Sequence, residues 1–329
     1  MKLGIVGNGK IVKEFLTFIN DLPEVELKAI VGRESRLSLL KELQDTYRIE
    51  QVYTNYQAFL DDPEINTVYI CLPNHLHYAY TKEALLKGKH VICEKPFTSN
   101  LQEFTELKEL ALEKGLILLE AITNQYLVNY RTLREQVKDL GEIKIVECNY
   151  SQYSSRYDAF KAGEVLPAFD PAMSGGALMD LNVYNLHFVV GIFGKPATVQ
   201  YLANMERGID TSGILVLDYT NFKVVCVGAK DCSAPVQTTI QGNKGSILVK
   251  GPTSICATFE KISNDGSREI FDHNVHQHRM YEEFYYFNQI IDELNYDKAA
   301  AMLEHSQIVM ELVDQAKVSA GLVFAADQS

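Results

Sequence analysis

The chain has no tryptophan, no CxxC pair, no long apolar run and fewer positive than negative charges. The missing tryptophan decides nothing, but each of the other gaps closes off a class of protein. Six cysteines (Cys71, Cys93, Cys148, Cys226, Cys232 and Cys256) are scattered through 329 residues. Without paired spacing they read as thiols of a reducing compartment, which argues for the cytoplasm and against a disulfide scaffold or a zinc site. The 31 Lys+Arg against 43 Asp+Glu leave a net charge of −12, which repels phosphate backbones and argues against nucleic acid as the main partner. No uninterrupted apolar run approaches the roughly 18 residues of a membrane span. The opening Met1-Lys2-Leu3-Gly4-Ile5-Val6-Gly7 breaks at glycine and reads as a first strand, not a leader.

What is present is an ordinary soluble composition, 47% hydrophobic and 22% charged, in a chain long enough for two domains. The first 120 or so residues alternate strand and helix. Strands are expected at Leu3–Val6, Leu27–Val31, Val68–Leu72, His90–Cys93 and Ile117–Ala121. Helices are expected over Lys10–Asn20, Ser38–Tyr47, His77–Leu86 and Leu101–Glu113. Such alternation implies right-handed crossovers and a doubly wound parallel sheet. After a helix over Arg131–Leu140 the pattern turns β-rich, with strands at 144–151, 198–204, 213–218, 222–228, 238–241 and 246–249. One helix interrupts them at Gly176–Phe193, and a helical tail is expected from Met280 to Ala316. The fold class expected is α/β: an N-terminal Rossmann domain (residues 1–122) followed by an α+β domain (residues 123–329) with a large, mainly antiparallel sheet.

Gly7-Asn8-Gly9-Lys10-Ile11 joins the first strand to the first helix. Gly7 suits the tight turn, and Gly9 lets the backbone approach a pyrophosphate at the helix N-terminus. The third glycine of the dinucleotide fingerprint is Val12, at a position that governs helix–strand packing. At the end of the second strand an acid would select NAD, yet the chain reads Val31-Gly32-Arg33-Glu34-Ser35-Arg36. Arg33 and Ser35 suit a 2′-phosphate, so NADP is expected before NAD, with Glu34 as the contrary signal. His273, His276 and His278 crowd one polar loop, but their spacing matches no familiar metal motif and no metal is assigned.

With Pro73-Asn74-His75-Leu76-His77 and Glu94-Lys95-Pro96 the chain resembles the Gfo/Idh/MocA oxidoreductases over nearly its whole length. Glu120-Ala121, the run Ser174–Asp180 and the run Thr239–Ser246 add to the likeness. The resemblance implies hydride exchange between a nicotinamide and a hydroxyl or carbonyl carbon of a sugar, polyol or cyclic diol. It implies cofactor contacts from the glycine loop and from Leu72, Pro73, Asn74, His77, Glu94 and Lys95. It puts Lys95, Asp180 and Tyr184 at the reaction, with Lys95 lowering the tyrosine pKa and Asp180 holding the lysine; Lys95 as the direct acid/base is the competing assignment. Spacing adds that Asp180, Tyr184 and His187 share a helix face. Arg156 and His187 are the expected substrate contacts. Asn182 replaces the usual glycine, His187 stands where aspartate is frequent, and residues 120–126 lack the tryptophan and arginine of dihydrodiol-like members. A sensor that binds dinucleotide without catalysis, or a reductase of C=N or C=C bonds, are the competing readings. A homodimer or homotetramer is expected, since one face of the second sheet is left for a copy.

Overall fold

The computed structural model describes Met1–Gln328. Internal contacts divide the chain into two compact units, and these are not simply its two halves. One comprises Met1–Thr98, Gln102–Ala121 and Glu283–Glu304; the other comprises Ser99–Leu101, Ile122–Glu282 and His305 onward.

In the first unit β1 (Lys2–Val6), α1 (Lys10–Leu16), β2 (Glu26–Val31), α2 (Leu37–Tyr47), β3 (Gln51–Tyr53) and α3 (Tyr56–Leu60) come first. They are followed by β4 (Thr67–Ile70), α4 (His77–Leu86), β5 (His90–Glu94), α5 (Leu101–Lys114) and β6 (Leu118–Ala121). The six strands pair in parallel in the order β3-β2-β1-β4-β5-β6, the doubly wound arrangement expected. Their apolar runs are buried on both faces, as a sheet covered by crossover helices requires. The strand β3 and helix α3 went unread because they are only three and five residues long. The helix expected to reach Asn20 stops at Leu16, and Ile19–Asp21 tightens into a 3₁₀ turn.

In the second unit α6 (Val128–Val137), β7 (Ile143–Ser151) and α7 (Ser155–Lys161) lead to a π-helical turn, Leu178–Asn182, and α8 (Val183–Phe193). Seven strands follow: β8 (Thr198–Glu206), β9 (Ile209–Asp218), β10 (Lys223–Ala229), β11 (Gln237–Gly242), β12 (Gly245–Lys250), β13 (Phe259–Ser263) and β14 (Arg268–Phe271). The eight strands run β14-β13-β12-β11-β7-β10-β9-β8, antiparallel except for the parallel pair β7–β10. Gly242 pairs with Gly245 around the two-residue turn Asn243-Lys244. Alternation sends Val146, Cys148, Leu215, Leu217, Val224, Cys226, Ile240 and Ile247 inward. The stretch Pro171–Phe193 is long and apolar enough to cross a membrane, yet 72% of its most apolar 18-residue window is buried, as in a core helix.

The tail is two helices, α9 (Tyr281–Asp292) and α10 (Tyr296–Ala320), instead of one, because Leu294 takes the left-handed conformation at φ +52°. Phe284 of α9 belongs to the first unit's core. Its ring centroid lies 4.4 Å from that of Phe15 and 4.9 Å from that of Tyr69. Burying one such ring stabilises by about 1.5–3 kcal/mol, enough to hold a segment so remote in sequence. The N-terminal ammonium adds bonds to Asn288 Oδ1 at 3.0 Å and Asp292 Oδ1 at 3.0 Å.

Candidate active site

The cofactor side is built at the carboxyl ends of β1 and β4, where the strand order reverses. Gly7 adopts φ +114°, and a Cβ there would lie 2.5 Å from the Cys71 carbonyl oxygen, so only glycine fits between the two strand ends. A Cβ on Gly9 would meet nothing within 4 Å, which leaves the loop's outer side open for a ligand to approach the backbone. Asn8 keeps its Nδ2 buried without a partner, a donor awaiting an acceptor. Val12, in place of the third glycine, is fully buried and packs α1. These features fit a dinucleotide pyrophosphate held by Gly7, Asn8 and Gly9, with Lys10 exposed and Ile11 half-buried at the helix start.

At the end of β2 a Cβ on Gly32 would come within 3.2 Å of Leu40 and 3.3 Å of Asn8 Nδ2. A side chain there would crowd the ends of Leu40 and Asn8, and the chain carries glycine in place of the acid. The side chains on offer are Arg33 and Ser35, both exposed, the first with extended backbone as it caps a 3₁₀ turn. Leu72 and Asn74 are half-buried and Pro73 is exposed.

Two residues expected at the cofactor face inward instead. His77 is fully buried, with Nδ1 2.9 Å from the Pro96 carbonyl and Nε2 2.8 Å from the Leu72 carbonyl. Burial pushes its pKa down, so the neutral ring ties together the loops after β4 and β5 and presents no edge to a ligand. Glu94, 9% exposed, accepts the Tyr69 hydroxyl at 2.5 Å; burial holds that phenol well above its usual pKa and keeps it a donor. Spacing cannot reveal such inward partners. From Val91 to Asn100, Lys95 is the only residue that is not buried.

The second unit shows a parallel pattern. From Ser174 to Val190 every residue is buried except Asp180 and Tyr184. The π turn carries Asp180, and single π turns of this kind recur at functional sites. Its start is held by Asp210, fully buried, whose Oδ2 accepts the Leu178 N–H at 2.6 Å and the Tyr201 hydroxyl at 2.7 Å. Its Oδ1 occupies the place of a side chain on Gly176, where a Cβ would lie 1.9 Å away and φ is +99°. Asp180 Oδ2 receives Lys230 Nζ at 2.8 Å. Tyr184 lies beside Tyr150, ring centroids 6.1 Å apart, and its carbonyl accepts from Asn124 at 3.2 Å.

The open stripe is narrower than the spacing suggested. His187 is fully buried, its Nδ1 2.9 Å from Nε2 of His305, so the ring lies against α10 and does not extend the open face as expected. Burial, with His187 alongside, holds the His305 pKa well below the usual range. Asn182 is also turned inward, toward the sheet. A Cβ on Gly228 would lie 2.7 Å from its side chain, and its Nδ2 reaches the Gly213 carbonyl at 3.5 Å. The missing side chain of Gly228 on β10 thus accommodates the residue that replaces a helix glycine, and the Gly213 carbonyl on β9 accepts from it. Arg156 is exposed on the first turn of α7, which Ser154 caps. His276 and His278 accept backbone N–H groups within their own loop, at 2.9 and 3.3 Å. Sequence reasoning did not find Asp210, Lys230 or His305, since a polar residue in a strand or helix carries no mark of its burial.

A glycine loop at the switch point of a 3-2-1-4-5-6 sheet is the arrangement of a dinucleotide-binding domain. Comparison with known proteins gives the particular family. A model described as "Oxidoreductase family, NAD-binding Rossmann fold" matches residues 1–122, and the GFO/IDH/MocA C-terminal domain matches residues 130–248. The chain belongs to the Gfo/Idh/MocA family of NAD(P)-binding oxidoreductases. It is 30% identical to scyllo-inositol 2-dehydrogenase (NADP(+)) IolU of Bacillus subtilis (strain 168), over 100% of both chains. It is 25% identical to trans-1,2-dihydrobenzene-1,2-diol dehydrogenase of Mus musculus, over 100% of this chain and 99% of that one. Among solved structures, KijD10, a 3-ketoreductase from Actinomadura kijaniata in complex with NADP and TDP-benzene, matches with a TM-score of 0.83. The identity there is 22%, over 97% of each chain.

Proposed function

We propose that the protein is an NADP-preferring dehydrogenase that interconverts a secondary hydroxyl and a carbonyl on a polyol, sugar or cyclic diol. Lys95, Asp180 and Tyr184 form its catalytic group. One observation carries the assignment: in two long buried stretches, these three are the side chains left open. When bound, the nicotinamide gives or takes the hydride. The remaining chemistry is proton transfer at the substrate oxygen, which falls to Tyr184. A neutral phenol near pKa 10 is a weak base at pH 7, and a cation near it favours tyrosinate, which is the part assigned to Lys95. In reduction the same hydroxyl returns its proton to the carbonyl oxygen. Arg33 and Ser35 are assigned to the 2′-phosphate, and Arg156 to orientation of the substrate.

The test is turnover of scyllo-inositol, trans-1,2-dihydrobenzene-1,2-diol and a sugar panel with NADP and with NAD. Tyr184→Phe and Lys95→Met should each lower kcat by orders of magnitude while NADP still binds. Near-normal kcat in both variants refutes the catalytic group. Tight NADP binding with no turnover across the panel supports a dinucleotide sensor instead.

Residues 1–122 are assigned to the cofactor, and 123–329 to substrate and assembly. The outer face of the second sheet carries Leu202 beside Ile214, which in turn pairs with Val227, and Leu202 and Ile214 are 54% and 40% exposed. An apolar row of this kind supports a homodimer or homotetramer, read by sedimentation of the wild type against Ile214→Glu. The six cysteines are all free thiols, which supports a cytoplasmic location.

A further inference from the structure

The geometry points to Lys230 as a positioning residue for the reaction: a buried ammonium that fixes the carboxylate of Asp180 in the orientation and charge state the active site uses. The inference rests on the reading above, since it assigns a partner to one member of the proposed catalytic group.

Lys230 follows β10 directly and is anchored there by its own N–H, which donates to the Thr211 carbonyl at 2.9 Å. Its side chain is 3% exposed. The ammonium has three hydrogens, and three acceptors surround it: Asp180 Oδ2 at 2.8 Å, the Ala168 carbonyl at 2.6 Å and the face of Phe169, whose centroid is 4.6 Å away. Each hydrogen has a direction to take, so the Nζ position is determined from three sides. A buried ammonium is costly, and a core site with no need of charge is better filled by an apolar chain. Here the cost is offset by a carboxylate that is 40% exposed, on one of only two open residues in a buried run. A charge-assisted bond to one oxygen fixes the carboxylate plane and favours its ionised form. The fully buried Asp210 also lies within the field of Lys230, so the ammonium offsets two carboxylates at the start of the catalytic helix.

The experiment compares wild type, Lys230→Met, Lys230→Arg, Asp180→Asn and the Asp180→Asn/Lys230→Met double variant, all with NADP. The substrate is scyllo-inositol or, where the wild type prefers it, trans-1,2-dihydrobenzene-1,2-diol. Loss of a charge-assisted bond predicts about a 10- to 100-fold fall in kcat for Lys230→Met. The KM for NADP should not change, and the acid limb of the kcat–pH profile should move to higher pH. Lys230→Arg should restore most of the kcat. The double variant should be no slower than Asp180→Asn, because Lys230 acts through Asp180. Wild-type kcat in Lys230→Met, or losses that multiply in the double variant, overturns the inference. Should Lys230→Met fail to fold, Lys230→Gln keeps a donor without the charge, and a wild-type kcat there overturns it equally. Wild-type kcat in Asp180→Asn has a different meaning: it removes the catalytic reading itself, and this inference with it.

Discussion

Asp210→Asn tests how the second unit holds the helix that carries Asp180 and Tyr184. Asp210 is fully buried, and burial pushes its pKa from 3.8 up to about 6, against the pull of the Tyr201 hydroxyl, the Leu178 N–H and Lys230. A carboxyl whose folded-state pKa is raised stabilises the fold most while protonated. That contribution is complete below the unfolded value of 3.8 and is lost as pH rises to about 6. A shift of about two units corresponds to about 3 kcal/mol. Asparagine cannot ionise, yet its carbonyl still accepts the Leu178 N–H. The gap between variant and wild-type stability should therefore grow in the variant's favour by about 3 kcal/mol between pH 3 and pH 7. For a unit of this size that is roughly 6–12 °C in Tm, read by thermal unfolding at half-unit pH steps. Parallel Tm–pH curves for the two proteins would refute the argument, since they would mean that Asp210 titrates alike in the folded and unfolded chains.

The glycine loop, the end of β2 and the surroundings of Asn182 supply three further expectations. Gly7→Ala places a Cβ 2.5 Å from the Cys71 carbonyl at φ +114°, so NADP affinity measured by fluorescence titration should collapse and Tm should fall, whereas Gly9→Ala, which meets no atom within 4 Å, should leave Tm unchanged. Arg33→Ala should raise the KM for NADP by about tenfold or more while leaving that for NAD nearly unchanged; equal effects on both cofactors would remove Arg33 from the 2′-phosphate. Gly228→Ala sets a methyl group 2.7 Å from Asn182 in a closed core and should destabilise by about 1–3 kcal/mol in denaturant unfolding, and pairing it with Asn182→Gly should recover part of the loss.

The first unit was legible because its elements carry local signals: apolar strand runs, helices stopped by glycine, and a Gly7–Gly9 turn that works through its own backbone. The reaction side was legible only as residue types at helical spacing, and spacing counts directions without weighing neighbours. It put His187 on the open face with Asp180 and Tyr184, yet His305, more than a hundred residues away, closes over that ring. The resemblance marked Asn182 only as a departure from the usual glycine, whereas Gly228 makes room for it and the Gly213 carbonyl accepts from it. It took His77 and Glu94 for ligand contacts because they stand in the motifs, while the carbonyls of Leu72 and Pro96 and the Tyr69 hydroxyl claim them. In each case a buried polar group is satisfied by a partner distant in sequence, and the free energy of that pairing belongs to the tertiary structure. The same principle explains why nothing local marks Lys230. Lys230 is buried because Asp180, Ala168 and Phe169 surround it, and none of those positions can be inferred from the residues next to it. The residues proposed to meet a ligand stand in local motifs; Lys230, proposed to aim one of them, stands in none, because its role depends on partners from other parts of the chain.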